Sequence, residues 1–299
     1  MRTYTPGETC MLLLFAGLGE EKPLTVHTYR GLRRMLEVLG QRDPSGQVDR
    51  TELRRLGLRE PQIQLILDRL GREALLEKHL EDLDRRGIAV LTRISPGYPA
   101  LLRKRLGDSA PMLLYCAGEL RLFRTPCVSL VGSRELRAPG RAFAVEVGRQ
   151  AALQGYTYVS GGAVGADSAG FDGTWGAGGT AILFLPDSLE ARMARMGRAL
   201  RSRSLLLVSE QGFDLSFSSP RAHSRNRLIH AMGEKVFVAQ SDYGTGGTWQ
   251  GTLENLKNGW SPVYVNMEEP EDRGARGLRE RGCLPVTARD LCDLRRLAP

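Results

Sequence analysis

The sequence predicts an α/β protein, a doubly wound and mostly parallel sheet preceded by a small helical domain. Three observations carry this. Short apolar runs rich in β-branched residues recur between residues 127 and 266, each followed by a helical pattern, and that alternation builds parallel sheets. Two of the strand-to-helix links are glycine-rich, GGAVGAD at 161–167 and GTGGT at 244–248. Residues 1–85 instead show short amphipathic pieces separated by Gly, Pro and polar links.

The helical part is read from MLLLFAGL, TVHTYRGLRRMLEVLG, TELRRLGL and PQIQLILDRLG, and defines an N-terminal domain at 1–85. The apolar run from Met11 to Gly19 is too short to span a bilayer and no small-residue cleavage pattern follows it, so a cytoplasmic protein is expected. The second domain covers 86–299. It opens with an extension at 86–122, where GIAVLTRI and PMLLYCAG read as edge strands and PGYPALLRKRL as a short helix. CVSLVG is then a buried strand, Pro139-Gly140 opens a helix that Gly155 stops, and Thr157 to Ser160 is a second strand. TAILFLP, SLLLVSE, KVFVAQ and SPVYVN continue the strands. The segment MEEPEDRGARGLRERG reads as a charged, solvated loop, and CLPVTARDLCDLRRL as a closing strand and helix.

Composition is globular, 41% hydrophobic and 25% charged, with a net charge of +8. Lysine occurs only at Lys22, Lys78, Lys104, Lys235 and Lys257, so nearly all cations are arginine, the side chain suited to planar, bidentate phosphate contacts; a biased genome composition explains the same excess. The five cysteines form no CxxC pair and the four histidines show no metal spacing, so no metal and no cofactor is expected. Ser133 has no nucleophile-elbow pattern, and no Gly-Lys-Ser/Thr occurs, which disfavours NTP hydrolysis.

Anion-binding candidates sit where strand ends meet helix starts, the edge at which such sheets bind ligands. They are Ser133 and Arg134, Gly161 and Gly162, and Gly246, Gly247 and Thr248, with Thr248 as a helix cap. Ser224 is the expected N-cap of a further helix whose first turn holds Arg225, Asn226 and Arg227. Two arginines there oppose the helix dipole unless an anion or a neighbouring loop compensates them. Arg192, Arg195, Arg198 and Arg201 recur at three-residue spacing and form either a basic stripe or a solvated face. Tyr156, Tyr243 and Trp249 are candidate base-stacking platforms, with core packing or loop anchoring as the alternative.

The order of these motifs resembles the DprA/Smf (DNA-processing protein A) family over about residues 90–266. The matching pieces are YPALLRKRLGDSAPMLLYCAG, VGSRELRAPGRAFA, SGGAVGAD, the Ser-Glu at 209 and 210, and SRNRLIHAMGEKVFVAQ. The resemblance implies a Rossmann-like sheet that binds single-stranded DNA, dimerises, and helps load a RecA-type recombinase during DNA uptake and natural transformation. It carries Ser133, Arg134, Arg225, Asn226 and Arg227 onto the family's phosphate-facing pocket. The chain departs from the pattern at Phe171, where the family commonly has histidine, and at Gln240, where it has glutamate. The small-residue helix after the last glycine loop is replaced by TWQGTLENLKNG, and no C-terminal winged-helix pattern is evident, which marks a divergent member.

The expected function is non-catalytic binding of single-stranded DNA by a homodimer, with no membrane partner. The alternative is nucleotide binding or nucleoside-monophosphate cleavage, as in the LOG-type phosphoribohydrolases that the Gly246–Glu254 stretch resembles. Under that alternative Asp167 and Glu254 are the candidate catalytic carboxylates, with a solvated helix residue as the plainer reading of Glu254.

Overall fold

The computed structural model describes residues 2–18, 50–55 and 57–297. The chain divides into two compact units. One is Met1–Tyr98, Gly107–Cys116 and Glu210–Gly212; the other is Pro99–Leu106, Ala117–Ser209 and Phe213–Pro299.

In the first unit, α1 (Pro6–Phe15) is followed by α2 (Arg50–Arg55), α3 (Glu60–Leu70) and α4 (Glu73–Arg85). The expected helix over TVHTYRGLRRMLEVLG lies outside the described residues. The start of α1 is a capping box. The Glu8 amide donates to Thr5 Oγ1 at 3.3 Å and the Thr5 amide to Glu8 Oε2 at 2.9 Å. At its other end two arginines satisfy carbonyls that the helix cannot. Arg69 Nη1 donates to the Leu14 carbonyl at 2.9 Å and Arg72 Nη2 to the Leu13 carbonyl at 3.0 Å. Strands β1 (Ala89–Thr92) and β2 (Leu113–Gly118) pair antiparallel, with Ala89 opposite Cys116 and Thr92 opposite Leu113.

The second unit begins with α5 (Ala100–Leu106). It then alternates β3 (Cys127–Val131), α6 (Ala138–Leu153), β4 (Thr157–Ser160), α7 (Ala166–Gly176) and β5 (Thr180–Phe184). Next come α8 (Leu189–Arg195), α9 (Gly197–Arg201), β6 (Leu205–Ser209), α10 (Ser219–Met232), β7 (Lys235–Val238) and α11 (Gly246–Asn258). β8 (Val263–Asn266), α12 (Arg273–Glu280), β9 (Leu284–Val286) and a short 3₁₀ turn at Ala288–Asp293 complete it. The seven strands of this unit are all parallel, in the order β6-β5-β4-β3-β7-β8-β9. The chain leaves β3 in one direction to lay down β4, β5 and β6, then returns to place β7 on the other side of β3. The switch point is therefore between β3 and β7, where open α/β sheets leave a crevice.

Central strands buried on both faces explain the near-continuous apolar runs, with Val128, Leu130, Ile182, Leu206, Val236 and Phe237 fully buried. On one face α6 and α7 pack backbone to backbone. A Cβ on Gly148 would overlap the Gly170 carbonyl, and Thr174 Oγ1 donates to that carbonyl at 2.9 Å and to that of Gly148 at 3.2 Å.

Three local expectations are corrected and one left open is narrowed. The helix over the arginine-asparagine-arginine segment starts at Ser219, capped by Ser218, whose hydroxyl accepts from the Arg221 amide at 3.3 Å. Pro220 fits the first helical positions, so the polar stretch SPRAHS is helical rather than a loop ending at Ser224, and Arg225–Arg227 lie midway along α10. The cap of α11 is Thr245 and not Thr248, which lies within the helix. The arginine run at 192–201 is split between α8 and α9 by a break at Met196, so no continuous stripe forms. The charged segment after β8 contains α12, capped by Asp272.

A buried polar knot fixes α10 against α11. Asn255 Oδ1 accepts from the Ser261 amide at 3.0 Å, which sets the amide's orientation, so its Nδ2 donates to His230 Nδ1 at 3.1 Å. The His230 proton is thereby assigned to Nε2, which has no hydrogen-bond partner among the described residues. Full burial with no partner for an imidazolium pushes the His230 pKa down to about 4 from 6.5. The folded state thus binds the neutral ring. Its contribution is intact above pH 6.5 and is lost as pH falls from there toward 4, by up to about 3 kcal/mol. Urea unfolding at stepped pH will show that slope in the wild-type chain and a flatter one in His230→Gln. Parallel curves would contradict the assignment.

Candidate functional site

The link after β3 is held in place before any ligand arrives. The Ser133 amide donates to the Gln240 carbonyl at 2.9 Å, and the Ala166 amide to the Ser133 carbonyl at 3.1 Å. The Gln240 side chain braces the same link from β7. Its Oε1 accepts from the Arg137 amide at 2.9 Å and its Nε2 donates to the Glu135 carbonyl at 3.2 Å. Gly165 has a φ of +86°, and a Cβ there would run into the Ser133 and Arg134 carbonyls, so only glycine lets the two links meet this closely. Arg134 emerges exposed from this frame, with its guanidinium carbon 5.4 Å from the centroid of Phe217. Phe217 is itself 49% exposed.

Behind the rim the glycine-rich link 161–167 closes on its own carboxylate. Asp167 Oδ2 accepts from the amides of Gly161 and Ala163, both at 3.1 Å. The Gly161 amide, expected to face a ligand, is therefore occupied by the protein's own anion, together with that of Ala163. Arg225 lies beneath the link, 5% exposed, and donates Nη1 to the Phe184 carbonyl at 2.9 Å. A Cβ on Gly161 would fall on this guanidinium. Arg192 supports the link from α8 by donating Nη1 to the Gly162 carbonyl at 2.7 Å.

Burial governs the charges here. Desolvation raises the Asp167 carboxyl above its ordinary value, opposed by the Arg225 charge and the amide donors. Desolvation likewise lowers Arg225, opposed by Asp167 and Asp187 and reinforced by the like charges of Arg134 and Arg192.

On the other side of the switch point, α11 starts with Gly246, Gly247 and Thr248. The Thr245 side chain makes no capping bond, and the first turn carries no acid. First-turn amides have no partner within a helix, and the macrodipole favours an anion there. Asn226 Nδ2 reaches across from α10 to the Gly247 carbonyl at 3.3 Å.

Ser133, Arg134, Arg225, Asn226, Gly246, Gly247 and Thr248, with Asp167, thus line one cleft of about 890 Å³. Gly161 and Gly162 are not among its lining residues, nor are Arg227 and Glu254. Arg227 is two residues beyond Arg225, roughly 200° around the helix axis, so the two cannot share a face. Of the aromatic candidates, Tyr156 and Trp249 are buried and only Tyr243 is substantially exposed. Phe217, Arg137 and His223 also line the cleft and were not among the nominated site residues. The signal for Phe217 was available as a single phenylalanine in the polar run LSFSS leading into α10. Arg137 is engaged elsewhere, paired to Asp272 and, at 3.0 Å, to Glu269.

This geometry suits anion binding better than bond cleavage. The hydroxyl of Ser133 accepts from the Glu135 amide at 3.2 Å, and the Asp167 oxygen that could serve as a base holds two amides. No group of three or more His, Cys, Asp or Glu among the described residues is placed to hold a metal ion. No helix among them is long and apolar enough to cross a membrane.

The architecture defines a Rossmann-like α/β protein with a crevice at the switch point of its sheet. The family model for DNA recombination-mediator protein A matches residues 89–289, and the chain belongs to that family. It is similar in structure to DNA processing protein A from Streptococcus pneumoniae, at 22% identity and a TM-score of 0.73, over 97% of this chain and 98% of that one. It is also similar to DNA processing protein A from Helicobacter pylori, solved for its single-stranded DNA binding mode. There the identity is 22% and the TM-score 0.57, over 69% of this chain and 94% of that one. No curated protein matches the sequence.

Gly161→Ala tests whether the buried guanidinium fixes the link. The added methyl must displace Arg225, and chemical denaturation should show a loss of about 2 kcal/mol, within the range for overpacking. A variant as stable as wild type would mean that Arg225 moves without cost.

Proposed function

We propose that this chain binds single-stranded DNA without cleaving it, gripping phosphates in the cleft at the switch point. The observation that carries this is the pairing of an exposed arginine, Arg134 on Phe217, with the uncapped amino end of α11 in one cleft. A guanidinium and free amides meet a phosphate, and the exposed ring offers a face to an unstacked base. Family membership supports the nucleic-acid ligand, and the Helicobacter pylori relative is described by its single-stranded DNA binding mode. The same membership supports a wider reading, in which a cytoplasmic homodimer passes the strand to a RecA-type recombinase during DNA uptake and recombination.

The nucleoside-monophosphate alternative is less well supported, because Glu254 does not line the cleft and the Asp167 carboxylate is spent on its own loop. Arg134 and the α11 start act on phosphates whatever the base, so sequence preference will be weak and salt dependence steep.

Fluorescence anisotropy with labelled oligo-dT across a salt series tests this. Wild type should bind with an affinity that falls steeply with salt. Arg134→Ala should weaken binding about tenfold and reduce the slope of log K against log salt by about 0.7, one phosphate contact on a single strand. Binding that ignores salt, or base release from nucleoside monophosphates in the same preparation, would overturn the proposal.

A further inference from the structure

Beside the cleft stands a second cluster of cations and aromatic rings. Tyr243 lies in the link between β7 and α11, between Asp242 and Thr245, both of which line the cleft. Its ring is 47% exposed. The Arg273 guanidinium carbon lies 5.2 Å from its centroid and that of Arg281 5.7 Å away. Arg281 also sits 4.9 Å from the centroid of Trp249, whose ring meets Tyr243 at 5.1 Å. Gly277 permits this packing, because a Cβ there would press on both rings.

The arrangement is built rather than incidental. Trp249 is 3% exposed and anchors the cluster to α11, while Arg281 Nη1 donates to the Gly277 carbonyl at 2.8 Å and is held in position. Two guanidinium groups on one half-exposed tyrosine give this patch a positive charge beside an accessible ring face, which suits an anionic partner that carries bases. Arginine interleaved with aromatic rings is also the surface chemistry that follows a single strand, with guanidinium groups on phosphates and rings on bases.

We infer that Tyr243, Arg273 and Arg281 form a second contact site for single-stranded nucleic acid, engaged by the strand as it leaves the cleft past the start of α11. The inference rests on the proposed function of the cleft and extends it. The cleft grips a few nucleotides, and the cluster adds affinity only for strands long enough to reach beyond it. The chain then has two aromatic–arginine pairs flanking its phosphate grip, Phe217 with Arg134 and Tyr243 with Arg273.

Length dependence distinguishes this site from the cleft. Anisotropy is measured with labelled oligo-dT of about 4 and about 12 nucleotides, spanning the footprints of single-strand binders. The proteins are wild type, Arg273→Ala, Tyr243→Leu and Arg134→Ala, with unfolding midpoints measured alongside. Leu at 243 retains bulk over Gly277 while removing the ring. Arg273→Ala and Tyr243→Leu should each lose about tenfold on the longer strand and less than about twofold on the shorter. Arg134→Ala should lose affinity for both. Equal losses at the two lengths, or none at either, in stably folded variants would overturn the second site and leave the cleft proposal standing. Wild type that binds neither strand would overturn both.

Discussion

The site depends on one buried charge arrangement, the guanidinium of Arg225 under a glycine-rich link that wraps the carboxylate of Asp167. Neither ion has much access to water, and neither would persist alone at this depth, because desolvation of a lone charge costs several kcal/mol. Together, with the Phe184 carbonyl on one and two amides on the other, they are mutually compensated. The link can then adopt only a conformation that leaves room for the guanidinium, which is why Gly161 carries no side chain. Arg225 is in this sense a foundation of the cleft wall, and it is also one of the residues that line the cleft.

That arrangement divides the work between the two glycine-rich links. The one after β4 has satisfied its amides internally, with Asp167 occupying the place that an external anion takes in dinucleotide-binding folds. The one before α11 differs, since Thr245 makes no side-chain capping bond and no acid occupies the first turn. Two links of similar composition thus differ in how their helix starts are satisfied. The difference is one aspartate at the end of GGAVGAD, against tryptophan and glutamine after the glycines of the other link.

The sequence made the sheet readable because its central strands are buried on both faces, and nothing but apolar runs can satisfy that. The ends of helices were less legible. Ser224 and Thr248 are good capping residues by composition, yet Ser218 caps α10 and Thr245 holds the N-cap position of α11 without a side-chain capping bond. In each case more than one hydroxyl stands near the helix start, and the choice among them rests on tertiary contacts: Arg225 must point inward at Gly161, and Asn226 must reach Gly247. The helix α12 was missed because its arginine and glutamate content hides a buried stripe of Gly274, Ala275, Gly277 and Leu278, in which a single leucine is too little to register as hydrophobic periodicity. Family resemblance pointed to residues around 133 and 225, four of which line one cleft, but could not say which of them are buried. Arg225 and Arg134 are both arginines carried over by the same motif order, and burial alone separates them.

That separation bears on how the cleft grips its ligand. A buried, compensated arginine cannot rotate out to follow a strand, whereas Arg134 stands exposed on a ring and loses little in exchanging water for phosphate. Arg137, exposed at the same rim, is already neutralised by Asp272 and Glu269 on the segment leading into α12. Formal charge therefore overstates the cleft's attraction for phosphate. Under the proposed function, the grip would come from one exposed cation, Arg134, one buried cation in the cleft wall, Arg225, and the amino end of α11. All three act on backbone oxygens rather than base edges. A site of this kind would hold a strand while remaining indifferent to its sequence, and the rings at its margins would be left to meet unstacked bases.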